Sequence, residues 1–308
     1  AYVSIWPADG EAVVIDGNVE MPGRHGDPAR LGHGLRRVET PYGGGVTLFA
    51  GHGSVATPGI VPAFAVAHER YANLPWARLL APATDAAGKG YPMSPAAARY
   101  LSYTADTLFG ADAEAHALVT RADGTLLNGG EATRNPLLAD TLRRLAEEGP
   151  ELFRSGDVAR SLVADMAANG GLITADDLLA YEPAVRPAHH VRVGNWDIAT
   201  NPPPSVGGPM LAVMLTELAR RDHDGKGWDW ADVVEIQRAV LGYRISTHDL
   251  SADLESAGAA LLAAVQEHGI GALRGSSSTA HISAVDSDGT VCAITMSCGY
   301  GAGMCIPG

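Results

Sequence analysis

Residues 275–297, GSSSTAHISAVDSDGTVCAITMS, read as a β-hairpin whose first strand opens on a small hydroxyl residue. Positions 280–285 and 290–295 are rich in β-branched and small side chains, and Asp286, Ser287, Asp288 and Gly289 between them carry Asp-Gly turn chemistry. The serines at 276–278 form a polar lead-in, so the hydroxyl of Thr279 sits where a loop becomes a strand. A reactive group is best held at such a junction. On composition alone, Thr279-Ala280-His281 reads as an ordinary strand start.

Working outward, residues 2–6 and 11–16 form a second predicted hairpin around Ala8, Asp9 and Gly10. Residues 17–45, rich in Gly, Pro, Arg and His, are too polar and too broken for regular structure and read as a loop. Pro58 and Gly59 open a helix over 59–71, and a further helix follows with Trp76, Leu79 and Leu80 as its buried face. Residues 135–146, NPLLADTLRRLA, place Leu137, Leu138, Leu142 and Leu145 on one helical face. Another helix covers 155–169, and Thr174 caps the turn after Gly170 and Gly171. Residues 191–200 alternate as one strand, and helices are predicted over 210–220, 232–248 and 251–268. Between the strand and the first of these lies NPPPSVGG, 201–208. Its prolines lock the backbone extended, while Gly207 and Gly208 allow close approach at a helix N-terminus suited to an anion or oxyanion.

With 308 residues, 46% hydrophobic and 19% charged, the chain is long enough to bury a substantial core. A net charge of -13 argues against nucleic acid or an anionic membrane surface as partner. No apolar run reaches the roughly 18 residues of a membrane span. The cysteines at 292, 298 and 305 match no metal motif, and their odd number argues against a disulfide framework. Free thiols favour a reducing compartment, which points to the cytoplasm. The sequence opens on Ala1 without methionine, so a start codon or signal peptide is expected to lie outside it.

Thr279-Ala280-His281-Ile282-Ser283-Ala284-Val285-Asp286-Ser287-Asp288-Gly289 resembles the subunit junction of the γ-glutamyltransferase (γ-glutamyltranspeptidase) family, N-terminal nucleophile hydrolases. The family's junction reads Thr-Thr-His, so its second threonine is Ala280 here. GSVATPG at 53–59, HERY at 68–71, LPW at 74–76, GGLIT at 170–174 and PPPSVGG at 202–208 carry the likeness further. The resemblance implies an α+β fold, a four-layer αββα sandwich with a largely helical middle, in which the hairpin at Thr279 is central and buried between other strands. It also implies a fragment: residues 1–278 as a large-subunit-like part and 279–308 as the start of a small subunit, together forming one structural domain.

The implied chemistry is amide hydrolysis or acyl transfer. Thr279 becomes the nucleophile after self-cleavage between Ser278 and Thr279, and the freed α-amine acts as base. Ser297, at the family's second hydroxyl position, orients that amine or is an edge-strand serine facing solvent. Thr295 is a further candidate hydroxyl, although Thr295 and His281 also read as strand residues satisfied by local hydrogen bonds. Ser205, Gly207 and Gly208 fall near the family's substrate cleft. Asn18 stands two residues after Asp16, where the family has an arginine for the α-carboxylate of a γ-glutamyl group, and a fixed guanidinium is the strongest handle on a carboxylate. Its loss favours a relative acting on another acyl amide, such as an oxamate-like substrate, and Arg24 is not established as a replacement. A catalytically inactive homologue is the third reading. The family's Asn after the second hydroxyl is Gly299 here. Expected partners are a small amide or γ-glutamyl substrate, water or an amine acceptor, and the subunits of one precursor, with homo-oligomers left open; neither metal nor organic cofactor is implied.

Overall fold

The computed structural model describes residues 1–41, 45–222, 227–268, 280–297 and 304–306. Its strands are β1 (Tyr2–Trp6), β2 (Val13–Asp16), β3 (Arg36–Thr40), β4 (Val46–Ala50), β5 (Tyr91–Pro92), β6 (Ala132–Thr133), β7 (Ala184–Pro187), β8 (His189–Val193), β9 (Trp196–Thr200), β10 (Ala280–Val285) and β11 (Val291–Met296). The helices are α1 (Ile60–Tyr71), α2 (Trp76–Lys89), α3 (Pro95–Leu108), α4 (Ala113–Ala117), α5 (Pro136–Glu148), α6 (Glu151–Arg154), α7 (Asp157–Ala168), α8 (Ala175–Ala180), α9 (Gly207–Arg221), α10 (Trp230–Ser246) and α11 (Leu254–His268). The mixture is α+β, and the chain divides into two compact units: Ala1–Asp16 with Ala184–Ser297, and Gly17–Pro183 with Cys298–Gly308.

The first unit is built on a five-stranded antiparallel sheet in the order β10-β11-β1-β2-β7. Successive side chains of a strand point to opposite faces, so cross-strand partners share a face. One face carries the continuous apolar row Ile282, Ile294, Val3, Ile15 and Val185. The other face carries His281, Thr295, Tyr2 and Asp16 in register. Val3 and Ile15 are fully buried. The two hairpin turns meet where the Ala8 N–H donates to Thr290 Oγ1 at 3.2 Å. At the tip of β10–β11, the Asp286 carboxylate accepts the N–H groups of Asp288 and Thr290, and Gly289 takes φ +91°, the Asp-Gly geometry read from sequence.

The same unit contains a helical layer of α9, α10 and α11, whose core is Met210, Val213, Ile236, Val240, Leu261 and Val265. Residues 191–200, expected as one strand, fold instead as the hairpin β8–β9, because Gly194 at φ +58° reverses the chain midway. The terminal hairpin departs from expectation too. Strand β10 is the outermost of the sheet rather than central, since β11 uses its second edge on β1 and no described strand pairs beyond β10. Ile282 and Val285 are accordingly 62% and 67% exposed.

The second unit is largely helical. The stretch 17–45, expected to be a loop, contains β3, which pairs with β4 over Arg36–Ala50 to Thr40–Val46. The rest of it is tied down by the capping box of α8, in which Thr174 and Asp177 satisfy each other's backbone N–H groups. The Asp177 carboxylate, 1% exposed, also accepts the N–H of Gly23 at 2.8 Å and of Arg24 at 3.1 Å. Burial raises its pKa, but these donors and Thr174 outweigh burial and hold it below the ordinary carboxylate value.

Leu79 on α2 and Leu137 and Leu138 on α5 are exposed, not buried as their periodicity suggests. The two helices approach through small residues: Ala87 and Ala139 are buried, and a Cβ on Gly88 would lie 3.4 Å from that of Ala139. Close approach on that side turns the leucines outward. Trp76 anchors the pair by donating Nε1–H to the Leu145 carbonyl at 2.9 Å.

Two outcomes test this arrangement. Ile15→Ala removes a fully buried side chain and is expected to cost about 2–5 kcal/mol, whereas Leu79→Ala should stay within about 0.5 kcal/mol; urea unfolding of both variants measures the contrast. Because the folded pKa of Asp177 is depressed, its contribution is complete above the unfolded carboxylate pKa, about 3.9, and is lost as pH falls through the lower folded value. Asp177→Asn should therefore be destabilising at neutral pH, with the gap from wild type closing under acid in denaturation curves taken as a pH series.

Candidate active site

The hairpin β10–β11 begins a line of polar side chains at the exposed edge of the first unit's sheet. His281 and Thr295 are register partners, and the imidazole Nδ1 lies 2.8 Å from Thr295 Oγ1 while Nε2 lies 2.9 Å from Ser283 Oγ. The ring is thus held between two hydroxyls on one sheet face, and Thr295 is engaged in a local bond. Ser297 follows β11 directly and is exposed. Thr279 and Ser278, expected as nucleophile and cleavage partner, lie outside the described residues, as does Gly299. The last register pair on that side is Ala280 with Met296.

Next along the same face stand Tyr2, opposite Thr295, and Asp16, opposite Tyr2. Burial pushes the Tyr2 phenol well above its usual range, the Asp16 carboxylate adds to the rise, and Arg186 partly offsets it. Arg186 Nε lies 3.8 Å from Asp16, and its guanidinium reaches 4.0 Å from Glu255 on α11. One strand step along, Ser4 donates its hydroxyl to Asn201 Oδ1 at 2.8 Å, which ties the sheet to the proline-rich loop. Sequence motifs do not single out Tyr2, Ser4 or Arg186. The available signal is the alternation of Tyr2 and Ser4 with Val3 and Ile5, which predicts a polar face without saying what it meets.

The proline-rich turn is self-contained. Ser205 is 2% exposed and its Oγ accepts the N–H of Gly208 at 3.3 Å, so this hydroxyl serves the start of α9. Gly208 has no room for a side chain, because an added Cβ would fall 1.8 Å from the Asn201 carbonyl oxygen. Gly207 is exposed with open space around it. Of the three candidate binding residues here, Gly207 presents its backbone outward, while Ser205 and Gly208 shape the turn.

Asn18 is the second residue of the second unit, and its backbone carbonyl accepts the hydroxyl of Tyr181. Arg24 is spent on an ion pair with Glu20. With His25, Asp176, Leu179 and Ala180 it also lines an open cleft of about 700 Å³. Burial raises the Cys292 thiol pKa, the opposite of what an activated thiolate requires. Among the described residues, no three His, Cys, Asp or Glu side chains are grouped to hold a metal ion. No helix among them is long and apolar enough to cross a membrane.

Comparison with known proteins places this geometry. The family model described as gamma-glutamyltranspeptidase matches residues 41–254. Among curated proteins, the chain is 34% identical over 167 residues to glutathione hydrolase 2 of Arabidopsis thaliana, covering 54% of this chain and 28% of that protein. It is 30% identical over 193 residues to the glutathione hydrolase proenzyme of Escherichia coli, covering 62% and 33%. The matched region thus spans about a third of the length of these relatives. Among solved structures, the gamma-glutamyltranspeptidase from Pseudomonas nitroreducens complexed with L-DON superposes with a TM-score of 0.65 at 25% identity, over 91% of this chain and 82% of that one. The family match covers well over half of the sequence and includes the loop-anchoring cap, the proline-rich turn and helices α9 and α10 described above, so this chain belongs to the gamma-glutamyltranspeptidase family.

Proposed function

We propose that the protein is an amide-cleaving acyl-transfer enzyme of the N-terminal nucleophile type, self-processed before Thr279 and working through a threonyl ester. The observation that carries this reading is the register of the terminal hairpin. Ala280 pairs with Met296, so the sequence neighbours of that one pair are the two hydroxyl residues Thr279 and Ser297. Family membership supports the reaction class, and the relatives from Arabidopsis and Escherichia coli carry the name glutathione hydrolase.

In self-processing, Thr279 Oγ adds to the carbonyl carbon of Ser278, the C–N bond breaks as the nitrogen takes a proton, and an ester remains. Water then hydrolyses that ester, leaving a carboxylate on Ser278 and a free α-amine on Thr279. This amine, with an ordinary pKa of about 7.7–8.0, suits general-base work near neutrality. It accepts the Thr279 hydroxyl proton as the oxygen attacks a substrate amide, then delivers a proton to the departing amine. Ser297 orients it, and water or a second amine resolves the acyl-enzyme. In this reading, residues 1–278 and 279–308 belong to the two subunits of one precursor and share one domain. The full architecture is a four-layer αββα sandwich, in which a further layer covers the exposed Ile282 end of the apolar sheet face.

The acyl group is proposed to be other than γ-glutamyl. Asn18 offers no guanidinium for an α-carboxylate, and the neighbouring Arg24 is engaged by Glu20. An oxamate-like or other acyl amide needs no such handle.

Two experiments decide the matter. In the full-length protein, intact mass should resolve two chains cut between Ser278 and Thr279; Thr279→Ala should leave one inactive chain and Thr279→Ser should cut more slowly. A wild type that stays one chain yet hydrolyses amides sinks the nucleophile assignment. Asn18→Arg should raise kcat/KM on a γ-glutamyl anilide by roughly tenfold to a hundredfold, the equivalent of one charge-assisted hydrogen-bonding pair. Efficient wild-type turnover of glutathione would contradict the substrate reading.

A further inference from the structure

Residues 18–24 are held by one face of α8. Asp177 and Tyr181 stand four residues apart, about one turn of helix, so their side chains leave the same side. The Asp177 carboxylate takes the N–H groups of Gly23 and Arg24, and the Tyr181 hydroxyl donates to the Asn18 carbonyl. Asp177 and Tyr181 are 1% and 5% exposed, so water competes little for these bonds. Between the two anchors, Glu20 and Thr57 exchange backbone hydrogen bonds at 3.2 Å and 3.0 Å. The clamp leaves two neighbouring side chains outside, those of Asn18 and Val19, both exposed.

Gly59 shows how closely the Tyr181 hydroxyl is seated. An added Cβ there would fall 1.9 Å from Tyr181 Oη and 2.6 Å from the Gly17 carbonyl oxygen, and the sequence places a glycine at that point, just before α1. The peptide joining Asn18 to Val19 is planar. Holding its carbonyl oxygen at Tyr181, and the chain two residues on at Thr57, sets the direction in which the side chain of residue 18 leaves the backbone. Tyr181 thus bonds to the backbone of the one residue whose side chain decides the choice of acyl group in the reading above.

We infer that Tyr181 is a positioning residue for substrate selection, its hydroxyl fixing the backbone of residue 18 so that the side chain there meets the acyl group in one direction. The inference rests on the substrate reading of Asn18. A double-mutant cycle in the full-length protein, assayed on a γ-glutamyl anilide, tests it. Tyr181→Phe keeps the ring and deletes the hydroxyl. Alone it should leave the wild-type kcat/KM unchanged, since Asn18 has no guanidinium to aim at an α-carboxylate. Combined with Asn18→Arg it should remove about threefold to tenfold of the gain, the span of one neutral hydrogen bond, through KM with kcat unmoved. Thr57→Val is the control: it deletes a buried hydroxyl with no partner among the described residues, and with Asn18→Arg it should leave KM unchanged. Circular dichroism of every variant should match wild type. An equal loss from Tyr181→Phe in both backgrounds overturns the inference, since the hydroxyl then serves the fold alone. A gain that survives Tyr181→Phe in full, or falls equally with Thr57→Val, overturns it too. An Asn18→Arg variant without any gain removes the substrate reading of position 18, and this inference with it; that result is read from the single variant and is distinct from the others.

Discussion

Everything in the first unit depends on the antiparallel pairing of β1 with β11, which joins Tyr2 to Thr295 across nearly the whole sequence. Closing so long a loop carries an entropic cost that rises only slowly with its length, and the pairing recovers it through buried apolar area. Val3 and Ile5 from β1 and Ile15 from β2 are almost fully buried, and the row from Ile282 to Val185 presents one uninterrupted apolar face. A one-residue slip of β11 would exchange that row for Thr295 and Ala293. Register is therefore specified strongly where it matters, at the strand that carries the candidate hydroxyls.

The same pairing gives the polar face its content. Because cross-strand partners share a face, fixing Val3 against Ile294 places Tyr2 against Thr295 without further choice. His281, Thr295, Tyr2 and Asp16 then form a line of polar groups on one sheet face, exposed at His281 and more buried toward Tyr2. Burial of the Tyr2 phenol next to Asp16 keeps it protonated, so along this line it is a donor beside an anion. A strand within a sheet holds hydroxyls in fixed directions better than a loop does.

In the second unit the organising device is different. A long polar segment after Gly17 has little apolar surface of its own, and one buried carboxylate, Asp177, binds it through the N–H groups of Gly23 and Arg24 while closing the cap of α8. Close backbone approach adds to this: an added Cβ on Gly34 would fall 2.7 Å from the Asn169 carbonyl. The contact of α2 with α5 likewise runs through Ala87, Gly88 and Ala139, where small side chains allow the helix axes to come near and dispersion to act over many atoms.

Resemblance of several motifs, the junction at Thr279 among them, pointed to the family; local pattern by itself determined the two hairpins with their turn residues, most of the helices and the Thr174 cap. These rest on periodicity, capping and turn chemistry, which act over a few residues. Tertiary structure decided which apolar residues are covered. Leu79, Leu137 and Leu138 satisfy a helical stripe but lie outside, because the partner helix approaches through smaller neighbours. Only the fold could bring Asn201 to Ser4 and set Arg186 beside Asp16, since each pair joins segments far apart in sequence. It also put β10 at the sheet edge: a strand's propensity says that it pairs, but how many edges it uses depends on which other strands reach it.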